Sequence, residues 1–235
     1  VDDIRIVKDL LYDKYTLEHT YPYRDTVREF QWEKIREKLL LVDSMQLRPA
    51  SWGVLQNRMN KNGEAPLVTH YKRNSYTRIV DTFGVERYQS VPLYLSADSL
   101  APERYGRDGT LVKVYKDTTE FITVEAVEFS GKWDVPRKYI KEIADTVVFR
   151  KAIFVDRLNQ NIATLEKSDS VWYVRSVNPA TTGVHRPPYA QETPLGMFVI
   201  QEKKAKMFFL KDGTNDMGGF ASYASRFCNG AYIHG

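Results

Sequence analysis

A chain of 235 residues, 43% hydrophobic and 27% charged, is long enough to bury a sizeable core and has the composition of a folded protein. Its net charge of +4 permits an anionic partner but excludes the strongly basic footprint of a nucleic-acid-binding protein. No stretch approaches the roughly 18 to 20 consecutive apolar residues of a membrane-spanning helix. The single cysteine, Cys228, excludes an internal disulfide framework.

The amino-terminal segment, residues 1–66, has the periodicity of helices. Two apolar stripes at three- and four-residue spacing predict helices within residues 2–19 and 21–46. The first stripe consists of Ile4, Val7, Leu11 and Tyr15, and the second of Val27, Phe30, Ile35, Leu39 and Val42. A third short helix is expected over residues 51–60, before a loop at 60–66.

From residue 67 the pattern changes to short segments rich in β-branched and aromatic residues. Strands are predicted over 85–95, 110–116, 121–129 and 132–140, with turn signals such as RDGT and FSGK between them. This density predicts a small barrel or sandwich over residues 67–145. A second β series follows, at 147–167, 170–178, 196–203 and 206–213, with a turn at Ser168–Asp169.

Motifs for metal or phosphate chemistry are missing from the sequence. The four histidines have no helical i, i+4 spacing, so no metal site is predicted. The glycines form no phosphate-binding loop, and no cofactor is implied.

A thiol and an imidazole remain as candidates, because Cys228 lies six residues before His234. A cysteine needs a base or a positive field to become a nucleophile. Spacing alone leaves two alternatives for Cys228, a small buried hydrophobe on a strand or half of a thiol-hydrolase pair.

Four motifs in order resemble the L,D-transpeptidase (YkuD-like) catalytic domain. The opening strand of that family, V-D-x-x-x-Q-x-L, has its counterpart in residues 155–162, and a T-T-G segment follows at 181–183. The T-P-x-G-x-F-x-I motif is matched by residues 193–200, and the histidine–glycine that opens the active-site signature is matched by His234 and Gly235. We expect Gly196 to permit a close approach at the start of a strand.

The resemblance implies site residues. His234 corresponds to the general base, whereas the family's cysteine nucleophile follows the histidine and is expected beyond residue 235. Cys228 precedes it, so this chain alone is expected to be inactive. Arg226 and Tyr232 are candidates for contacting a substrate carboxylate or lining the cleft. The loop before the T-P-x-G motif offers three candidate substrate contacts, His185, Arg186 and Tyr189. The alternative for His185 is an exposed loop position without a functional role.

A second resemblance, to a bacterial SH3-like module, involves the segment SGKWDVPRKYIKEI at 130–143. Such modules bind cell-wall peptides or act as spacers, and both alternatives stay open. Trp133 is expected to pack in the barrel core, with a ligand platform as the alternative.

Together the resemblances imply an α+β chain with three parts: a helical region (1–66), an SH3-like β module (67–145) and an incomplete, mainly β L,D-transpeptidase sandwich (146–235). The implied activity is acyl transfer from peptidoglycan stem peptides to an amine, an envelope protein or water, without cofactor. The implied compartment is the periplasm or cell envelope, with a signal peptide removed. The rival hypothesis is a non-catalytic wall-binding or scaffold protein of the same fold.

Overall fold

A computed structural model describes residues 5–12, 30–47 and 51–235. Of the described residues, 46% lie in strands and 10% in helices, so this part of the chain is mostly β. One α-helix, α1, spans Trp32–Gln46. The strands are, in chain order, β1 (Arg5–Tyr12), β2 (Ser51–Leu55), β3 (Lys72–Arg73), β4 (Ile79–Val80), β5 (Ser90–Leu93), β6 (Arg104–Arg107), β7 (Leu111–Asp117), β8 (Phe121–Ala126), β9 (Lys132–Pro136), β10 (Ile140–Ile143), β11 (Lys151–Asp156), β12 (Asn161–Ser168), β13 (Val171–Pro179), β14 (Glu202–Leu210), β15 (Met217–Cys228) and β16 (Ala231–Ile233).

The chain divides into two compact units. The first consists of Val1–Pro49 with Thr146–Val184, and the second of Ala50–Asp145 with His185–Gly235. The three-part division expected from the sequence stays a prediction.

In the first unit, α1 packs on a four-stranded sheet ordered β1-β13-β12-β11. β1 runs parallel to β13, and the other neighbours are antiparallel. Ile35 and Leu39, one turn apart on α1, join Leu165 and Trp172 in the buried core. The turn predicted at Ser168–Asp169 follows the end of β12.

A buried carboxylate strengthens this contact between helix and sheet. Asp43 on α1 accepts a hydrogen bond from Trp172 Nε1 at 3.1 Å and pairs with Lys167 Nζ at 2.7 Å. Because Asp43 is only 7% exposed, these two partners offset the cost of removing its charge from water.

The second unit contains an antiparallel five-stranded sheet ordered β10-β2-β7-β8-β9. Its inward side chains form the largest core cluster, which includes Leu55, Val112, Trp133 and Tyr139. The prediction that Trp133 packs in the core is therefore confirmed. The same unit holds the three-stranded antiparallel sheet β14-β15-β16 and two short strand pairs, β3-β4 and β5-β6.

Two of the predicted amino-terminal helices are wrong where the structure describes them. Residues 5–12 form β1, because the edge of β13 offers a row of backbone partners that outweighs a helical apolar pattern. Residues 51–55 form β2, between β7 and β10. Gly53 allows this insertion, because a Cβ there would lie only 3.0 Å from Ile140 Cγ2. Residues 13–29, including Val27 of the second stripe, lie outside the described residues.

The strand predicted over 196–203 is also wrong for most of its length. Residues 196–201 form an extended segment with one bridge, between Phe198 and Thr110, and β14 begins only at Glu202. Leu111 N–H donates to the carbonyl of Met197, and Val199 N–H donates to the carbonyl of Gly109. The segment is thus held by isolated contacts rather than by a continuous ladder.

Candidate functional site

A cleft of about 440 Å³ lies in the second unit. Its walls come from the segment after β2, the turn between β6 and β7, the extended segment before β14, and strand β15. The lining side chains are all long or polar: Gln56, Arg58, Met59, Lys61, Asp108, Gln201 and Arg226.

A buried ion pair forms one wall of the cleft. Arg226 and Asp108 have side-chain exposures of 7% and 1%, and Arg226 Nη1 donates to Asp108 Oδ2 at 2.8 Å. Asp108 also accepts from the backbone N–H groups of Asn57 (2.9 Å) and Asn229 (3.1 Å) and from Gln201 Nε2 (3.1 Å). Four donors therefore surround this carboxylate, which fixes both members of the pair in place.

The turn that carries Asp108 depends on Gly109. This glycine has φ +91°, and a Cβ there would overlap the carbonyl oxygen of Phe227 and lie 2.7 Å from Gln201 Nε2. Only glycine lets the turn approach β15 this closely, so the RDGT turn positions Asp108 against Arg226.

A second charged cluster lies at the base of β14. Glu202 Oε2 accepts from Arg58 Nη1 at 2.9 Å and from the Tyr232 hydroxyl at 3.3 Å, and its Oε1 lies 3.4 Å from Lys204 Nζ. Burial alone would raise the pKa of Glu202. The hydrogen bond and charge of Lys204, with the contributions of Arg58 and Tyr232, outweigh burial and hold this pKa below its ordinary value.

The two charged clusters share Arg226, whose Nε lies 3.4 Å from Glu202 Oε2. Arg226 and Tyr232 oppose each other on β15 and β16. These two predicted site residues thus lie together, but Arg226 already has carboxylate partners. Sequence reasoning missed Arg58, Asp108 and Glu202. The RDGT motif was a signal for Asp108, since it predicted the turn, but the burial of its carboxylate depends on β15.

His234 lies directly after β16 and is exposed. Its Nδ1 lies 3.2 Å from the carbonyl oxygen of Gly235, and Gly235 N–H donates to the carbonyl of Ser222 at 3.0 Å. Because a carbonyl oxygen only accepts, Nδ1 carries a proton in this contact, and Nε2 has no hydrogen-bond partner among the described residues.

Cys228 is unsuited to act as a nucleophile with His234. It is 1% exposed, and burial raises the pKa of its thiol to about 12, despite the opposing charge of Arg107. Cys228 opposes Ala231, whereas Ser225 opposes Ile233, so His234 follows at the other end of this hairpin, roughly 10 Å away along the strands. The thiol-hydrolase alternative is therefore wrong for this geometry.

The loop with His185, Arg186 and Tyr189 also belongs to the second unit. His185 is exposed, and its ring nitrogens contact the hydroxyls of Ser75 (3.2 Å) and Tyr76 (3.3 Å). Arg186 bridges to Ala190 through backbone hydrogen bonds, and Tyr189 is 61% exposed beside Gly213. No hydrogen bond or ion pair between described residues joins this loop to His234, so their functional association stays a prediction.

Three matched motif residues of the first unit make hydrogen bonds, and two of them, Gln160 and Thr182, bond to each other. Asp156 closes the turn after β11 by accepting from the backbone N–H groups of Leu158 (2.9 Å) and Asn159 (3.0 Å). Burial would raise the pKa of Asp156, but these and other hydrogen bonds hold it below its ordinary value. Gln160 donates to Thr182 Oγ1 at 2.5 Å and accepts from Thr182 N–H at 2.8 Å. The opening motif and the T-T-G segment are thus tied together.

Gly196 of the T-P-x-G motif has φ +146°, and a Cβ there would overlap the carboxylate of Glu128. The close approach expected at this glycine is present, but the strand expected to start there is not, because β14 begins only at Glu202. Burial raises the pKa of Glu128, against the charges of Arg107 and Arg104.

Within the described residues, no group of three or more His, Cys, Asp or Glu side chains is arranged to hold a metal ion, and no helix is long and apolar enough to cross a membrane. Comparison with protein-family models, with the curated proteins and with the solved structures gives no match to this chain.

Proposed function

We propose that the chain carries part of a peptidoglycan L,D-transpeptidase, an acyltransferase whose cysteine nucleophile is expected beyond residue 235. The proposal rests on four sequence motifs in the family's order. The geometry that supports it best is that of His234, which is exposed after β16 and whose Nε2 has no hydrogen-bond partner among the described residues.

The proposed chemistry begins with a base and a thiol. His234 takes the proton of the thiol, and the thiolate attacks the peptide carbonyl after the L-centre of the third stem residue. The imidazolium of His234 returns the proton to the departing nitrogen as the carbon–nitrogen bond breaks, the terminal D-residue leaves as the amine, and a thioester remains. An amine of a neighbouring stem, an amine of an envelope protein or water then takes the acyl group.

The finer fold assignments belong to this proposal. We interpret β5 to β10 as an SH3-like module, supported by their antiparallel order around Trp133 and Tyr139, and residues 146–235 as part of an L,D-transpeptidase-like sandwich. β2 joins the module's sheet from outside the segment 67–145. The corresponding compartment is the periplasm or cell envelope.

A covalent probe tests the proposal. The protein extended through its complete coding sequence is incubated with a carbapenem, which acylates such cysteines, and the intact mass is measured. We expect one adduct on a cysteine after residue 235 in a Ser/Thr-His-x-Cys sequence. In that protein, His234→Ala should slow acylation by about 100-fold or more, as expected for loss of a general base.

His70→Ala is the matched control, because His70 is also an exposed histidine of the second unit. It should acylate at the unmodified rate. An adduct on Cys228, or equal rates for the two histidine variants, would overturn the proposal. A coding sequence without the later cysteine, in a protein that still sediments with peptidoglycan, would favour the non-catalytic wall-binding alternative.

A further inference from the structure

We propose that the guanidinium of Arg104 recognises a planar, neutral ligand with a carbonyl group, which binds to its edge between the rings of Phe83 and Phe129. All three residues belong to the second unit. Arg104 begins β6, and the two phenylalanines lie in the segments before β5 and after β8. The proposal goes beyond the transferase proposal and does not depend on it, because it involves neither His234 nor the matched motifs.

Arg104 is a buried cation whose N–H groups lack an acceptor. The residue is only 7% exposed, and it makes no hydrogen bond or ion pair with any described residue. Its Nε is fully enclosed without a partner. Burial lowers the pKa of Arg104, and the charges of Asp81 and Glu128 oppose this effect. Because a buried charged group is costly unless its donors are hydrogen-bonded, a ligand that supplies an acceptor is favoured here.

Two phenylalanine rings leave only the edge of the guanidinium open. Arg104 Cζ lies 4.0 Å from the centre of the Phe83 ring and 3.8 Å from the centre of the Phe129 ring. Two rings this close to one planar group cover its two faces, so an acceptor reaches the N–H groups in the plane of the guanidinium. The N–H groups of arginine form a rigid planar fork for such an acceptor. A planar ligand fits best, because it continues this plane between the same rings.

The turn that carries Phe83 is fixed before any ligand arrives. Asp81 is fully buried, and its Oδ1 accepts from the backbone N–H groups of Phe83 and Val85, both at 2.9 Å. Its Oδ2 accepts from the N–H of Tyr105, the neighbour of Arg104 on β6, at 2.8 Å. One carboxylate thus holds the turn against the strand of Arg104, which lowers the entropy cost of binding. Phe83 itself is 61% exposed, so a ligand can reach the ring from solvent.

The charges around Arg104 favour a neutral ligand. Two carboxylates, Asp81 and Glu128, and one further cation, Arg107, act on Arg104. Two positive and two negative charges therefore balance, and Glu128 Oε1 lies 3.7 Å from Arg107 Nη1. Since burial raises the pKa of Glu128, this balance holds above that pKa, where a bound carboxylate would add an uncompensated negative charge. An amide carbonyl supplies the acceptor oxygen without a charge.

Benzamide is the probe, because it combines a carbonyl acceptor with a planar ring. The chain labelled with ¹³C-phenylalanine is titrated with benzamide at pH 8 and constant ionic strength, followed by aromatic ¹H–¹³C NMR. We expect saturable shifts of the rings of Phe83 and Phe129, with a millimolar Kd. Aniline has the ring without the carbonyl, so it should bind at least about fivefold more weakly, as expected for the loss of one hydrogen bond. Benzoate, which brings a negative charge, should also bind more weakly than benzamide.

Two variants test the residues of the site. Arg104→Lys keeps the charge but lacks the planar fork, so it should weaken benzamide binding about tenfold or more. Phe83→Ala removes an exposed ring, so it should keep the fold and weaken binding about fivefold through the lost aromatic contact, read from the Phe129 ring. Phe208→Ala is the matched control, because Phe208 is an exposed phenylalanine of the same unit with Lys206 Nζ 5.5 Å from its ring centre. It should bind benzamide like the unmodified chain.

Three results would each overturn the proposal: no saturable shifts at the two rings, benzoate or aniline binding as tightly as benzamide, and unchanged affinity of Phe83→Ala. Unchanged affinity of a folded Arg104→Lys variant would overturn it as well. If Arg104→Lys unfolds the chain, Phe83→Ala decides, since Phe83 is exposed. None of these outcomes bears on carbapenem acylation, so the two proposals fail independently.

Discussion

Replacing Asp108 by asparagine removes one charge from the most buried ion pair of the described residues while keeping the side chain's shape. Asp108 Oδ2 accepts from Arg226, Gln201 and Asn229, and Oδ1 accepts from Asn57 N–H. An asparagine has one oxygen for these four donors. Its amide nitrogen must point at a donor, and where it replaces Oδ2, Arg226 keeps only the more distant Glu202 carboxylate and Asn229 carbonyl.

The cost follows from these contacts. Removing one partner of a buried ion pair typically costs about 3–5 kcal/mol, and one unsatisfied buried donor accounts for about 1–3 kcal/mol of such a loss. We therefore expect Asp108→Asn to lower the free energy of unfolding of the second unit by about 3–5 kcal/mol.

The measurement is urea unfolding followed by tryptophan fluorescence. Trp52 and Trp133 report the second unit, and replacing Trp32 and Trp172 by phenylalanine removes the signal of the first. Asp98→Asn is the control, since Asp98 is exposed and accepts no hydrogen bond from a described residue; it should change stability by less than about 0.5 kcal/mol. A loss below about 1 kcal/mol for Asp108→Asn would refute the assigned burial and pairing.

Three further predictions concern buried groups. With a pKa of about 12, the thiol of Cys228 is about one ten-thousandth ionised at pH 8. Iodoacetamide should therefore alkylate Cys228 at least 100-fold more slowly in the folded chain than in urea. Alkylation rates within tenfold of each other would contradict the burial of this thiol. Because burial raises the pKa of Glu128, the folded state keeps this proton to higher pH than the unfolded state, and its contribution to stability falls as pH rises from the ordinary carboxyl pKa through the raised one. Glu128→Gln should make the free energy of unfolding in urea fall less steeply between pH 4 and 8. An unchanged pH dependence would contradict the raised pKa of Glu128. Gly109→Ala should lower the free energy of unfolding by more than about 3 kcal/mol, because backbone strain of about 1–3 kcal/mol adds to the overlap with Phe227. Gly84→Ala is the control, because Gly84 has φ +77° and open space around it. It should show the cost of the backbone strain alone.

The strands of the second unit could be predicted because their local pattern agrees with their environment. Phe121–Ala126 alternates between half-buried and buried positions, as an amphipathic strand does, and the turn signal FSGK follows it. β1 and β2 could not be predicted in this way. Their pairing depends on β13 in one case and on β7 and β10 in the other, which are distant in sequence, and the local apolar spacing of residues 5–12 favours a helix.

The residues of the cleft could be predicted from the sequence even less well than β1 and β2. Arg226 was a candidate because it precedes the histidine motif, but its partner Asp108 lies 118 positions away, and no local pattern predicts that pairing. Arg58 lies in a segment that was predicted to be helical, where an exposed arginine would have no special role. Its position at the cleft follows from the strained turn after β2, which sequence periodicity does not report.

The matched motifs differ in what the structure explains. Asp156, Gln160 and Thr182 form hydrogen bonds that close a hairpin, and Gly196 makes room for Glu128, so these residues have structural roles regardless of activity. His234 has no comparable role among the described contacts, since its ring meets only the adjacent Gly235 carbonyl. Gln160→Ala should therefore cost about 1–3 kcal/mol in urea unfolding, because Thr182 N–H loses its acceptor, while His234→Ala should stay within about 0.5 kcal/mol of the unmodified chain. A large destabilisation by His234→Ala would assign the histidine a structural role as well, and the chemical part of the resemblance would then lose its support.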